Sequence, residues 1–342
     1  MNKPSQWRDS SSSSPSGPPG GGGVPKDLVA RLTESILSEP RTRHLGATRL
    51  PSRDAVGELV EVLRELTFPG YFGRRGLTPD NLPLHVEELL SRAMLHLEEQ
   101  IASVLRYIHE IEPAGNDRRA PLPKTTSPEE DDKLARELTR KFVQDLPELR
   151  RLLALDVQAA FDGDPAAMHT DETIFCYPGV DAVFAHRVAN ALYRLGVPLL
   201  PRLIQEMAHS RTGIDIHPGA TIGESFFVDH GGGVTIGQTT VIGDHVKIYQ
   251  GVTLGAKSFD RDPTGKLIRD GRQRHPTIGN RATIYANAVI LGGDTVIGED
   301  CVIAGNVFLT HSVKPGHIVQ EKETELVLKP RNLNLNDTTA TR

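Results

Sequence analysis

The chain has 342 residues, 38% of them hydrophobic and 24% charged, the proportions of a folded protein large enough for two or three structural units. Its formal net charge of −5 gives no basic excess to recommend nucleic acid as a partner, and no run reaches the roughly 18 apolar residues of a membrane span. Two cysteines, Cys176 and Cys301, cannot build a disulfide framework or a cysteine-based metal site; they read as small packed residues of a protein in a reducing cytoplasm.

Residues 1–25 read as a disordered tail. They hold a Ser/Pro/Gly tract, Ser10 to Gly23, too poor in apolar side chains to fold, and they lack the apolar core of a secretory signal. Residues 26–112 read as a helical module. Its clearest helix runs from about Leu84 to Glu112, where Leu90, Met94, Leu97, Ile101, Val104, Ile108 and Ile111 alternate at spacings of four and three. Such a stripe serves a bundle core or, alternatively, an oligomer seam.

Residues 113–128 read as a linker, rich in proline and without periodicity. Residues 129–211 form a second helical domain. Ser127-Pro128-Glu129 has the form of a helix start, with a capping hydroxyl, a proline in the first turn and acids at the positive helix end. Leu134, Leu138, Phe142 and Leu146 continue one face, and Asp145 with Pro147 restarts a helix to about Phe161. A further helical stretch, about Val180 to Ser210, carries Val183, Ala189, Leu192 and Leu195 and should break at Gly196-Val197-Pro198.

Residues 212–320 change character. Apolar residues recur on a count of six at Ile216, Ile222 and Val228, then after a step of eight at Ile236, Ile242, Ile248 and Leu254. After an interruption, loop 256–274, come Ile278 and Ile284, then a step of seven to Leu291, and Ile297, Ile303 and Leu309. Glycine follows many of them, at Gly223, Gly237, Gly243, Gly255, Gly279, Gly292 and Gly298. Six suits neither a helix nor a simple hairpin. It suits a triangular solenoid in which each short strand turns one aliphatic inward and then rounds a corner, so that every turn buries its neighbour. Residues 321–342 read as a C-terminal tail.

Within the repeat, Gly213-Ile-Asp-Ile-His-Pro-Gly-Ala-Thr-Ile-Gly223, Val228-Asp-His230, Thr235-Ile-Gly-Gln-Thr-Thr-Val-Ile-Gly243, Gly251-Val-Thr-Leu-Gly255 and Arg274-His-Pro276 resemble the serine O-acetyltransferases, a family of hexapeptide-repeat acyltransferases. Upstream, Asp164-Pro165 and the helix around His186-Arg187 match that family's helical domain, so the resemblance covers about residues 130–320. It implies an α+β fold: an N-terminal α-helical domain followed by a C-terminal left-handed parallel β-helix. The left hand comes from the resemblance alone, because parallel crossovers are normally right-handed. It also implies a homo-oligomer, a trimer or a dimer of trimers, with active sites between neighbouring coils.

The implied reaction moves acetyl from the co-substrate acetyl-CoA to the hydroxyl of L-serine, with no permanently bound cofactor and no metal. A serine hydroxyl needs a base to take its proton during attack, and histidine suits that task near neutral pH. His230 is the expected base. A neutral imidazole needs an orienting partner on its other nitrogen. Counting alone does not choose between Asp215 and Asp229 for this; the resemblance implies Asp215. Asp164 and Asp229 suit the substrate ammonium, and Arg274, a planar donor, suits its carboxylate. The resemblance sets His275 near the reacting carbonyl or the carboxylate, where it or a backbone N–H would face the oxyanion. Gly255, Ala286 and Ala304 are small enough for the pantetheine arm of CoA to pass close to the backbone.

Loop 256–274, together with its flanking residues, carries Lys257, Arg261, Lys266, Arg269, Arg272 and Arg274 against Asp260, Asp262 and Asp270, which suits either a solvated loop or a mobile flap offering cations to CoA phosphates. It departs from the family in its length, in Ala256 after Gly255, and in Gln238 where an acid is common. The chain ends Ala340-Thr341-Arg342 rather than in the isoleucine by which family members dock the next enzyme of cysteine synthesis, so a cysteine synthase complex is not expected. Three competitors are weaker. A sugar acyltransferase would not need ammonium and carboxylate sites together, though another hydroxyl amino acid would. A γ-carbonic-anhydrase-like zinc hydratase would need His217, His230 and His275 to meet at an interface. A scaffold would need no catalytic pair. His217 reads as a turn residue, and His245 and His311 as solvated.

Overall fold

The computed structural model describes residues 24–46, 50–111, 125–268 and 271–322. Two compact units divide between Ala47 and Thr48. In the first, α1 (Lys26–Ser38) precedes a 3-10 turn at Pro40–Thr42, and Leu28, Val29, Leu32 and Ile36 are exposed. The second unit holds α2 (Arg53–Thr67), α3 (Leu82–Ile111), α4 (Pro128–Gln144), α5 (Leu146–Gly163), α6 (Thr170–Cys176), α7 (Pro178–Arg194) and α8 (Leu200–Thr212).

Where the sequence marked helix ends, the structure has ends close by, while α2 and α6 had no predicted bounds. Ser127 Oγ accepts the Glu130 N–H at 3.3 Å and starts α4, and the Gly196–Pro198 break separates α7 from α8. The inward face of α3 is set by Leu89, Ala93, Leu97, Ile101, Val104 and Leu105. The stripe read from sequence is therefore rotated: Leu97, Ile101 and Val104 are buried, whereas Leu90, Met94 and Ile108 flank them half-buried. The Ile111 side chain, the tail before Val24, most of the linker, and the residues after Lys322 lie outside the described residues. The helices on either side of the linker share one core, with Leu59, Leu63 and Leu97 joined to Phe142, Phe184 and Leu200.

From Asp215 the chain runs through β1 (Asp215–Ile216), β2 (Thr221–Ile222), β3 (Phe227–Val228), β4 (Thr235–Ile236), β5 (Val241–Ile242), β6 (Lys247–Ile248), β7 (Thr253–Gly255), β8 (Thr277–Ile278), β9 (Thr283–Ile284), β10 (Val289–Leu291), β11 (Val296–Ile297), β12 (Val302–Ile303), β13 (Phe308–Leu309) and β14 (Ile318–Val319). They stack as three parallel sheets, β1-β4-β7-β10-β13, β2-β5-β8-β11 and β3-β6-β9-β12-β14, the faces of a left-handed parallel β-helix. Ile216, Ile236, Leu254, Ile290 and Leu309 line the first face inside. Here the count of six needs one correction. The inward residue of β10 is Ile290, opposite Leu254; Leu291 pairs with Gly255 and is only half-buried. The extra residue falls at the following corner, where Gly292 has φ +107°.

The helical domain and the coil exchange side chains. Ala182 and Val183 of α7 join the coil's core, and Phe227 of β3 joins the helical one. A buried ion pair fastens them. Arg187 on α7 donates Nε and Nη2 to the two carboxylate oxygens of Asp156 on α5, both at 2.9 Å, and Nη1 and Nη2 to the carbonyls of Ile222 and Gly223, at 2.7 and 2.6 Å. Asp156 also accepts the Phe226 N–H at 2.9 Å. Cys301 is buried in the coil, but Cys176, expected to be packed, ends α6 exposed.

Removing either partner strands a buried charge. Asp156→Asn and Arg187→Met are each expected to destabilise the protein by about 3–5 kcal/mol in denaturant unfolding. A loss below about 1 kcal/mol would show that water relieves the remaining charge.

Candidate active site

His230 follows β3 at the corner between the third and first sheets, with φ +58°. This is the left-handed region, which non-glycine residues seldom adopt, and it turns the ring outward: the side chain is 71% exposed. Asp229 beside it is buried. Its Oδ1 lies 3.8 Å from His230 Nε2, and its Oδ2 lies 3.2 Å from the Lys247 ammonium. Asp164, just after α5, completes the group. The close approach of α5 to the coil requires Gly163, because a Cβ there would come 2.7 Å from the Phe227 ring.

Asp164 Oδ2 accepts from the Tyr177 hydroxyl at 2.5 Å, and Oδ1 accepts from the Ala166 N–H at 2.8 Å. These two bonds, the Tyr177 one foremost, hold its carboxyl below the usual carboxylate range, with help from Lys247 and His230. The same bond pushes the Tyr177 phenol up. Tyr177 was invisible to sequence reasoning; only the turn between α6 and α7 brings it to Asp164.

Arg274 and His275 stand just before β8, at the corner between the first and second sheets. Arg274 Nη2 donates to Gln238 Oε1 at 2.6 Å, and Gln238 Nε2 donates to the Tyr193 hydroxyl at 2.9 Å. Thr239 organises this corner. Its Oγ1 accepts the backbone N–H groups of Arg274 and His275 at 2.9 and 3.1 Å and lies 2.7 Å from His275 Nδ1. Thr239 N–H also donates to Nδ1, at 3.1 Å. With Nδ1 thus an acceptor, the hydrogen-bond network assigns the proton of the neutral ring to Nε2. Gly237 makes room for that ring, since a Cβ would come 2.0 Å from His275 Cδ2. Thr239, like Tyr177, carried no signal in the repeat pattern.

The expected site residues therefore form two groups on different corners. His230, Asp229 and Asp164 stand at one, with Ala286 and Ala304 above them at the same corner of later turns; Arg274, His275 and Gly255 stand at the other. Asp215 begins the coil turn that His230 ends: its backbone N–H donates to the Val234 carbonyl at 2.9 Å, just past His230. Its carboxylate lies within 4.8 Å of Glu206 and His209 on α8, and the carboxylate 3.8 Å from His230 Nε2 is that of Asp229. His217 Nδ1 accepts the Gly219 N–H at 2.9 Å and the ring meets Tyr193 edge-on, as a turn residue would. His245 and His311 are exposed.

Next to Arg274, a cavity of about 1020 Å³ opens between the α7–α8 break and loop 256–274, with Tyr193, Lys257, Phe259 and Arg272 among its walls. Several loop cations already have partners. Lys257 pairs with Asp294 at 3.2 Å, Arg272 with Asp260 at 2.6 Å, and Arg261 donates to the Gly265 carbonyl at 2.7 Å. Arg269 and Asp270 lie outside the described residues. Among the described residues no helix is long and apolar enough to cross a membrane.

No family model matches the chain. The plasmid serine acetyltransferase of Synechococcus elongatus is 45% identical over 300 residues, 87% of this chain and 91% of that protein. The serine acetyltransferase of Bacillus subtilis is 42% identical over 195 residues, 55% of this chain and 83% of its own. Among solved structures, Entamoeba histolytica serine acetyltransferase 1 in complex with L-cysteine superposes with a TM-score of 0.64 at 30% identity, covering 86% of this chain and 97% of that one.

Tyr177→Phe removes the main support of the Asp164 carboxylate, so its pKa should rise toward the ordinary carboxylate value, read by carbon NMR of the carboxyl group. Because the folded-state pKa is depressed, the stability this gives wild type is present above about pH 4 and is lost as pH falls through the folded value. The variant should show a smaller acid-side loss. An unmoved carboxyl titration would mean that Ala166 and the nearby cations suffice.

Proposed function

The chain belongs to the serine acetyltransferase family, and on that premise we propose that it transfers the acetyl group of acetyl-CoA to the hydroxyl of L-serine, giving O-acetyl-L-serine and free CoA. The observation that carries this reading is the chemistry of the two corners. One offers carboxylates and an exposed imidazole, the other a guanidinium and an N–H-bearing imidazole. An amino acid with an ammonium, a carboxylate and a hydroxyl needs both. Packing of identical three-sided coils in a trimer, in which a corner of one coil meets a different corner of the next, unites them; pairing of helical domains would give a dimer of trimers.

In such a site Asp164 and Asp229 hold the ammonium and Arg274 the carboxylate. His230 takes the hydroxyl proton as the serine oxygen attacks the thioester carbonyl carbon. His275 Nε2–H or a backbone N–H holds the oxyanion. The C–S bond then breaks, and His230 returns its proton to the departing thiolate. Asp215, which begins the coil turn that His230 ends, is the partner that would orient it. CoA would run past Gly255 of one coil and Ala286 and Ala304 of the next. The setting for this chemistry is cysteine biosynthesis in the cytoplasm.

The deciding assay is thiol release from acetyl-CoA with L-serine, L-homoserine, L-threonine and sugars as acceptors. Release with serine is expected; turnover of another acceptor alone would overturn the serine reading. His230→Asn should lower kcat about 10²–10⁴-fold and leave the oligomer intact by light scattering. Wild-type turnover in that variant would remove His230 from the mechanism. L-cysteine, which differs from serine only by sulfur for oxygen, should raise the apparent KM for serine without lowering kcat; inhibition unrelieved by saturating serine would place it elsewhere.

A further inference from the structure

Lys247 is not part of any motif that marks the site, yet it is woven into the His230 corner. It stands on β6 in register with Phe227, the strand position directly above the start of β3. Its ammonium donates to the Gly163 carbonyl at 2.6 Å and pairs with Asp229 Oδ2 at 3.2 Å. It also lies 5.0 Å from the centroid of the Phe227 ring and 4.5 Å from that of Tyr249. The side chain is only 20% exposed. Burial works against its charge, but Tyr249 and Asp229 outweigh it and hold the ammonium above the usual lysine pKa.

Two consequences follow from the geometry. First, Lys247 divides the Asp229 carboxylate: Oδ2 is held by the ammonium, so Oδ1 is turned to His230. Second, it sets the charge of the corner. The groups around His230 are the carboxylates of Asp229 and Asp164 and the Lys247 ammonium; Tyr177 stands behind Asp164, with Glu172 acting on it, and Tyr249 behind Lys247. Without Lys247 the carboxylates of Asp229 and Asp164, joined by that of Asp215 in the proposed mechanism, would face the imidazole with no cation, and that arrangement stabilises the imidazolium, which cannot act as a base.

We infer that Lys247 is a positioning residue of the acetyl transfer: it aims Asp229 and sets its ammonium against the carboxylates that face the His230 imidazole. This rests on the acetyltransferase reading for its kinetic expression, but not for its electrostatics.

The test compares wild type, Lys247→Met and Lys247→Arg. In kcat/KM for L-serine, the acid limb reports the base of the free enzyme. It should move up by about 0.5–1 pH unit in Lys247→Met, a loss of about three- to tenfold on the acid side that shrinks as the pH rises. Lys247→Arg should keep the wild-type limb. In parallel, the His230 ring is titrated without substrate by NMR of histidine-labelled protein, its signal identified by its loss in His230→Asn. Its pKa should rise in Lys247→Met and not in Lys247→Arg. A limb and a ring titration that stay put in Lys247→Met, or a uniform loss at every pH, would overturn the inference. Should Lys247→Met fail to fold, Lys247→Gln carries the same comparison. Wild-type protein that releases no thiol with serine would sink the acetyltransferase reading alone, because the ring titration still decides the role of Lys247.

Discussion

Arg187 enters a nearly water-free seam between two helices and a coil, and four of its N–H groups meet acceptors there: both oxygens of Asp156 and the carbonyls of Ile222 and Gly223. A cation can be kept in such a place only if its donors are satisfied. Those acceptors come from α5 and from the corner after β2, so satisfying the charge leaves α5, α7 and the first turn of the coil little freedom relative to one another. The end of α5 then arrives over Phe227 with Gly163 giving way, and Asp164 comes to the corner where Asp229 and His230 leave β3. The position of Asp164, the carboxylate proposed to hold the substrate ammonium, is thus tied to an ion pair that lies outside the candidate site.

Much of this was written in the sequence at the level of period and residue type. A count of six placed the strands, and Ser127, Pro128 and the Gly196–Pro198 break placed helix ends, because those signals are local. The failures have physical causes. Leu291 and Ile290 are both aliphatic, and only the register of Ile290 against Leu254 separates them. On α3 the 3–4 alternation marked a face that overlaps the buried one at Leu97, Ile101 and Val104 but is rotated from it, because α3 packs against α2 and α4 on two sides. Cys176 belongs to a residue type that is usually packed, but its place at an exposed helix end, which composition does not reveal, leaves it in solvent.

The site was legible in its acids, bases and cations and illegible in what holds them. His230, Asp229, Asp164, Arg274 and His275 stood out as chemistry-bearing residues. Tyr177, Thr239, Gly237 and Lys247 are common residue types whose importance comes from distances across the chain: Thr239 meets His275 from the turn below, and Lys247 meets Gly163 from another domain. The partition onto two corners was equally hidden, since sequence order says nothing of which face of a three-sided coil a residue leaves. A triangular solenoid repeats its corners at every turn, so it can offer one set of groups along one edge and a complementary set along another.

Loop 256–274 interrupts the count of six without disturbing the coil. Thr277 and Ile278 pair with Val241 and Ile242, and Leu254 pairs with Ile290, as though the chain between had passed straight around the corner. The coil therefore closes beneath the insertion, and His275 is seated by Thr239 and Gly237, which belong to the preceding turn. Lengthening, shortening or exchanging the insertion changes the wall of the adjoining cavity while the stacked turns keep their bonds. In evolutionary terms the loop is a cassette: a lineage can remodel what reaches Arg274 one loop at a time, with the folding of the solenoid shielded from the experiment.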